Sequence, residues 1–299
     1  MLLGLDWMNR TQQNALALAA AIIGFSVLYW PILARLAEDW LTDGNYSHGL
    51  LIIPLSAYFA WERRNRVRRL PRQPTVAGLV VVIGGLLLLV AGLLGAELFL
   101  SRVSLLVVIG GAVLFVLGWR ALWTLAFPIS FLLLMIPIPS IVFNEVAFPL
   151  QLIASQVGQA GLQAAGVPVL REGNTIVLAY TTLEVAEACS GIRSLISLLS
   201  LGIVYAYFTD ARSSVRLLIL VSTVPVAVLA NGARVAGTGI AAHYYGPEAA
   251  DGFFHTFSGW MVFGFACVSM LAIAGVLRWL APTHRIPSVG ETTALKAGT

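Results

Sequence analysis

The sequence predicts an all-α polytopic membrane protein of about eight transmembrane helices, with an outward-facing amphipathic helix and a small β-hairpin between the fifth and sixth spans. Three observations carry that expectation. Hydrophobic residues make up 59% of the 299 and charged residues 11%, too little polar surface to cover a soluble globule of this size. The apolar runs are long and continuous, as in helical spans, whereas barrel strands alternate in short segments. Six of the 18 basic residues fall between Arg63 and Arg72, a cluster that membrane topology explains without invoking nucleic acid.

The elements follow in order. Residues 1–14 are expected to form a cytoplasmic N-terminus. The opening MLLGLDWMNR has neither a basic region before an apolar core nor a small-residue cleavage site, so no removable signal peptide is expected. The membrane domain runs over 15–281. Its first segment, Ala15 to about Leu36, is long enough to span, since a bilayer needs roughly 20 residues of helix. The acidic, turn-rich stretch Glu38 to Gly49 follows. A second segment from about Tyr46 to Trp61 is short for a span, and tilt or local thinning would absorb the mismatch. Further spans read as Thr75 to Gly95, Val103 to Gly118 and Ala121 to Ile136, the last stopped by the prolines of Pro137 to Ser140.

Residues 141–188 are the one long stretch not read as a span. The first half mixes apolar residues at three- and four-residue spacing with glutamines and serine, the pattern of a helix lying on a surface or packed on neighbouring spans. The second half alternates like strands around Glu172, Gly173 and Asn174, so a hairpin should lead to Cys189. Spans then read as Cys189 to Phe208, Arg216 to about Tyr244 with Pro225 inside, and His255 to about Leu280. The tail 282–299 is expected to be a flexible cytoplasmic segment, and no repeat of fixed period is evident. Placing 13 of the 18 basic residues on one side and 10 of the 14 acids on or near the other puts both termini in the cytoplasm and the hairpin and Cys189 outside.

Depth counting brings three residues to one level. At 1.5 Å per residue, Cys189 lies roughly 35 Å from Arg212, Arg234 roughly 27 Å from Arg216, and His255 roughly 35 Å from Arg278. Against a hydrocarbon thickness of about 30 Å, all three fall near the outer boundary. A thiol at the start of a helix, with Arg193 one turn on, favours the thiolate, whereas Glu184 and Glu187 oppose it. An arginine within a span lines a cavity or meets a partner unless it reaches the headgroups, and Asn231, Arg234 and Thr238 share one helix face. Together Cys189, His255 and Arg234 supply what acyl transfer needs: a nucleophile, a proton carrier and a fixed cation for an oxyanion. Cys267, in mid-span among apolar residues, reads as a buried hydrophobe. Two cysteines are too few for a disulfide framework or a thiolate zinc site, and this chemistry calls for no metal or cofactor.

Three blocks, EACSGIRSL over 187–195, NGARVAGTG over 231–239 and HTFSGW over 255–260, resemble the signature blocks of the exosortase and archaeosortase family. The earlier NYSHGLLIIPLSAYFAWERR over 45–64 is similar to that family's early segment, with one isoleucine more, at Ile52 or Ile53. The resemblance implies a multi-pass cysteine transpeptidase of the bacterial cytoplasmic (inner) membrane, its Cys189, Arg234 and His255 facing the periplasm. It implies substrates that are membrane-anchored proteins with a C-terminal sorting tail: a Pro-Glu-Pro-type motif, one helix in the lipid bilayer and a basic cluster. The enzyme would cleave near the motif and pass the protein to a surface acceptor, in cells that make exopolysaccharide. Arg193, Glu184, Glu187, Asn231 and His48 are candidates for supporting the catalytic set or binding substrate. Two rival readings use the same residues differently: a transporter in which Arg234 and His255 line a polar path, and a membrane acyltransferase with His255 as base and a structural Cys189.

Overall fold

The computed structural model describes residues 10–179, 181–185, 192–208, 213–246 and 253–280. The expected tail 282–299 lies outside them, as does most of the expected N-terminus 1–14. The chain divides into two compact units between Ser140 and Ile141.

The first unit holds α1 (Arg10–Thr42), α2 (Gly49–Glu62), the short α3 (Arg64–Arg69), α4 (Val76–Leu94), α5 (Leu98–Leu117) and α6 (Trp119–Phe131), which tightens into a 3-10 turn over Leu132–Met135. The first helix extends past the expected Ala15 to Leu36 at both ends. It turns Tyr29, Ile32, Leu36 and Trp40 inward at helical spacing, while Ile23, Val27 and Trp30 stay exposed on the other side. The arginine-rich α3 buries nothing. Beside it, Arg64 lies 3.8 Å over the Trp61 ring and Arg63 5.1 Å over Phe127.

A glycine heptad organises the α4–α5 pair. A Cβ on Gly78 would meet Phe115, one on Gly85 Val108, and one on Gly92 Ser101. Each step of seven along α4 is answered by a step of seven back along α5, the register of an antiparallel pair with a 3.5-residue repeat. Small residues let two backbones approach closely where hydrophobicity gives no drive to associate. The spacing of Gly78, Gly85 and Gly92 is legible in the sequence, although the reading above saw no repeat.

The second unit holds α7 (Ser140–Ala164), the strands β1 (Leu170–Glu172), β2 (Thr175–Val177) and β3 (Thr182–Glu184), then α8 (Ile192–Phe208), α9 (Ser213–Tyr245) and α10 (Phe253–Leu280). β1 and β2 pair antiparallel around Gly173 and Asn174. Gly173 has φ of 64°, the value that a type II′ hairpin turn requires at its first central position. β3 adds a third strand, in the order β1-β2-β3.

The polar stripe of α7 has a different use from the expected one. Gln151 and Ser155 are 7% and 0% exposed, and they hold the sheet. The Ser155 hydroxyl donates to the Gly173 carbonyl at 3.0 Å, and Arg171 Nε donates to Gln159 Oε1 at 3.2 Å. A stripe at i, i+4 and i+8 is satisfied by a neighbouring element as well as by water. The adjoining face of α7 packs on α9, with Gly158 against Val235, Gly161 against Ala236, Gly232 against Val157 and Gly239 against Leu162. The core between them gathers Ala154, Leu162, Ile176, Val185, Val235 and Ala242.

Among the described residues, five helical segments are long and apolar enough to cross a membrane: Ala19–Thr42, Val76–Leu94, Leu98–Leu117, Ser140–Ala164 and Ser213–Tyr245. Gly49–Glu62, Trp119–Met135, Leu195–Phe208 and Phe263–Leu277 are shorter apolar segments. The fold is an all-α polytopic membrane protein carrying one small sheet. By length and composition α7 joins the long group, although 141–188 was not expected to span.

Candidate functional site

The second unit carries most of the residues singled out by sequence. α8, α9 and α10 pack on one another, and the links between them, 209–212 and 247–252, are short. Consecutive helices therefore alternate in direction. The first turn of α8, the last third of α9 and the first turn of α10 come to the same end of the three-helix group.

One face of α9 defines the seam. Ile219, Thr223, Ala227 and Ala230 are 0%, 0%, 1% and 4% exposed. Ala227 and Ala230 pack with Leu195 and Leu198 of α8 and with Phe263, Ala266 and Cys267 of α10. Lower down, Ile219 packs with Tyr205, Ala274 and Leu277. Arg234 is the next residue in that series, one turn beyond Ala230. At about 100° per residue it stands within about 40° of Ala227 and Ala230 around the helix. The half-buried Arg234 thus extends the α8–α10 seam at its α8-first-turn end. Asn231, 3% exposed, sits one turn earlier, toward the side where Gly232 and Val235 meet α7.

Heights can be counted from the Leu195, Ala230 and Phe263 layer. Arg193, the second residue of α8, is about 3 Å beyond Leu195; Arg234 is about 6 Å beyond Ala230; His255, the third residue of α10, is about 12 Å beyond Phe263. All three backbones lie on the same side of that layer. Cys189 and Glu187 lie outside the described residues, between the end of β3, where Glu184 is the last residue, and Ile192. No three His, Cys, Asp or Glu side chains come together as a metal site among the described residues.

The chain leaves the sheet for Cys189 at a clamped point that sequence reasoning missed. Val185 donates its N–H to the Asn174 carbonyl at 3.0 Å. The Asn174 side-chain amide donates back to the Val185 carbonyl at 3.4 Å and to Gln151 Oε1 at 3.5 Å. Val185 is 2% exposed and shares its core with Val235, the neighbour of Arg234. Asn174 looked like a turn residue only, and nothing local in the sequence pairs it with Gln151.

His48 belongs to the first unit, in a polar cluster of its own. It precedes α2, and its Nε2 donates to the Leu134 carbonyl at 3.2 Å; a carbonyl only accepts, so Nε2 carries the proton. Burial pushes the His48 pKa down, opposed by the carbonyls of Leu134 and Asn45. Beside it, Trp40 Nε1 donates to the Met135 carbonyl at 2.9 Å, and a Cβ on Gly49 would strike the Trp40 ring. Arg102, 3% exposed, forms an ion pair with Asp39, a pairing across 63 residues that no sequence pattern announced.

A family model described as transmembrane exosortase matches residues 40–272, from Trp40 through most of α10 and across all four blocks. The chain belongs to the transmembrane exosortase family. No curated protein and no solved structure matches it. As a transmembrane exosortase it is an integral membrane protein, and membership supports a membrane transpeptidase or protease-like role.

Proposed function

We propose that this exosortase cleaves the C-terminal sorting signal of membrane-anchored, surface-destined proteins through a thioester on Cys189 and transfers them to a surface acceptor. The observation that carries the reading is the α9 seam: buried small residues lead up to Arg234, a cation at the end of the helix group where α8 and α10 begin. An arginine fixed at the end of such a seam is a cation beside which a developing oxyanion would be stabilised.

His255, or a water it binds, removes the proton from Cys189 Sγ, and the thiolate attacks the scissile carbonyl carbon. The carbonyl electron pair moves to oxygen, where Arg234 stabilises it. Collapse expels the amine, which takes the proton from the His255 imidazolium, and leaves the acyl group on Sγ. An acceptor nucleophile or water attacks the thioester, His255 takes its proton, and the thiol is regenerated. The substrate tail, with its Pro-Glu-Pro-type motif, apolar helix and basic cluster, aligns the cleavage point at the outer boundary of the cytoplasmic membrane. The acceptor belongs to the cell surface of an exopolysaccharide-producing bacterium. The Arg63 to Arg72 cluster serves topology, holding its own end and both termini in the cytoplasm.

The test is Cys189→Ala in native membranes carrying a tagged substrate with such a tail. The variant should accumulate normally and leave the substrate uncleaved, and a membrane-impermeant thiol reagent applied from outside should block the wild type. Undiminished cleavage by Cys189→Ala overturns the reading in favour of the transporter or the acyltransferase.

A further inference from the structure

β3 is an outer strand of the sheet, and its register with β2 fixes where each of its peptide groups points. Leu178 donates to the Thr181 carbonyl at 2.8 Å and Val185 to the Asn174 carbonyl at 3.0 Å, while Leu183 stands opposite Ile176. In an antiparallel ladder hydrogen-bonded pairs alternate with non-bonded ones. Thr182 and Glu184 occupy the non-bonded positions, so their N–H and C=O groups point away from β2. Among the described residues β3 pairs with β2 alone, and no further backbone hydrogen bond falls on that edge.

The edge is held firmly. Ile176, opposite Leu183, is 0% exposed, and Val185 is 2% exposed in the core shared with α7 and α9. The hydrogen bonds from Asn174 to Gln151 and from Ser155 to the Gly173 carbonyl fasten the turn to α7. An exposed strand edge that is braced in this way is a template for another extended chain. Cys189 follows Glu184 by five residues, so it lies within a reach of at most about 16 Å from the end of β3.

We infer that the outer edge of β3 docks the substrate polypeptide, which joins the sheet as a fourth strand and so brings its scissile bond alongside Cys189. The inference rests on the thiol transpeptidase reading above. The occupant is an extended peptide because two donors and two acceptors at two-residue strand spacing match only another extended backbone. A motif with prolines at alternate positions suits the new edge. The absent proline N–H groups face outward, and in an antiparallel register the residue between the prolines exchanges both of its hydrogen bonds with Thr182.

Two arms test it, using the full-length enzyme in liposomes and a synthetic peptide with a Pro-Glu-Pro motif, an apolar helix and an arginine cluster. N-methylating the glutamate amide between the prolines removes the donor aimed at β3 and should raise KM about tenfold with kcat little changed. Thr182→Pro removes the matching enzyme donor while leaving every β2–β3 bond intact, and should raise KM similarly without slowing alkylation of Cys189. Leu183→Pro deletes a ladder donor and should disrupt the sheet. Should Thr182→Pro not fold, the methylated peptide decides, because it is used on the wild-type enzyme. Equal KM for the methylated and plain peptides overturns strand docking. If Cys189→Ala is inactive in the same assay, only the docking falls; if it still cleaves, the thiol reading falls with it.

Discussion

Two glycines of the NGARVAGTG block should respond oppositely to the same substitution. A Cβ on Gly232 would lie 2.4 Å from Val157 Cγ1 and 2.5 Å from Val157 Cβ, whereas ordinary contact begins at 3.4 Å. Val157 cannot turn aside, because its Cβ is fixed by the α7 backbone and a β-branched side chain has one favoured helical rotamer. Gly232→Ala must therefore push α9 from α7 by about 1 Å, and overpacking of that kind costs about 1–3 kcal/mol. Gly237 has nothing within 4 Å of its Cβ position. Replacing a helical glycine by alanine gains about 0.5–1 kcal/mol at either site, so that gain cancels in the comparison. Gly237→Ala should be more stable than wild type, and Gly232→Ala less stable than Gly237→Ala by about 1–3 kcal/mol. The same displacement occurs two residues from Arg234, and a misplacement of about 1 Å costs up to about 10²-fold in rate. Thermal unfolding in detergent and cleavage kinetics on one substrate read both effects. Equal stability and equal kcat/KM for the two variants would refute the α7–α9 contact as the support of Arg234.

Two further outcomes concern the first unit. The fold favours neutral His48, so its contribution is full above the ordinary value of 6.5 and is lost as pH falls through its lowered folded value. Protease resistance of the first unit should drop on acidification from pH 7 to 5, and His48→Gln, which keeps a donor for Leu134, should flatten that dependence; an unchanged pH profile argues against it. Asp39→Asn leaves Arg102 buried without its counter-charge, at a cost of about 3–5 kcal/mol, and Asp39→Leu with Arg102→Met should recover much of that loss. Thermal melts of the single and double variants decide the matter, and a single variant as stable as wild type would rule it out.

Much of this protein was legible in its sequence, for reasons local to each segment. Long apolar runs have only one way to satisfy their backbones in lipid, so the membrane class and most helices follow from composition and period. The two closely spaced prolines of Pro137 to Ser140 end a helix, whereas the single Pro31, Pro54, Pro128, Pro149 and Pro225 lie inside helices. The blocks around Cys189, Arg234 and His255 carry the family resemblance by themselves, and depth counting from the arginines expected at the opposite span ends needed only the helical rise.

Tertiary structure decided what depends on partners far along the chain. Periodicity made α7 amphipathic, but only packing determined that Gln151, Ser155 and Gln159 face a sheet. The glycine spacing of α4 was visible, yet its meaning came from Ser101, Val108 and Phe115 on α5. Asn174 became a clamp because Gln151 and Val185 reach it, and Arg102 became tolerable in a buried place because Asp39 does. The sequence by itself determined that this is a helical membrane protein, and it offered a thiol, an arginine and a histidine as candidates for one site. The packing of α8, α9 and α10 decided that Arg234 continues their shared seam, because the direction of a side chain depends on which neighbouring helices the rest of its own helix has chosen.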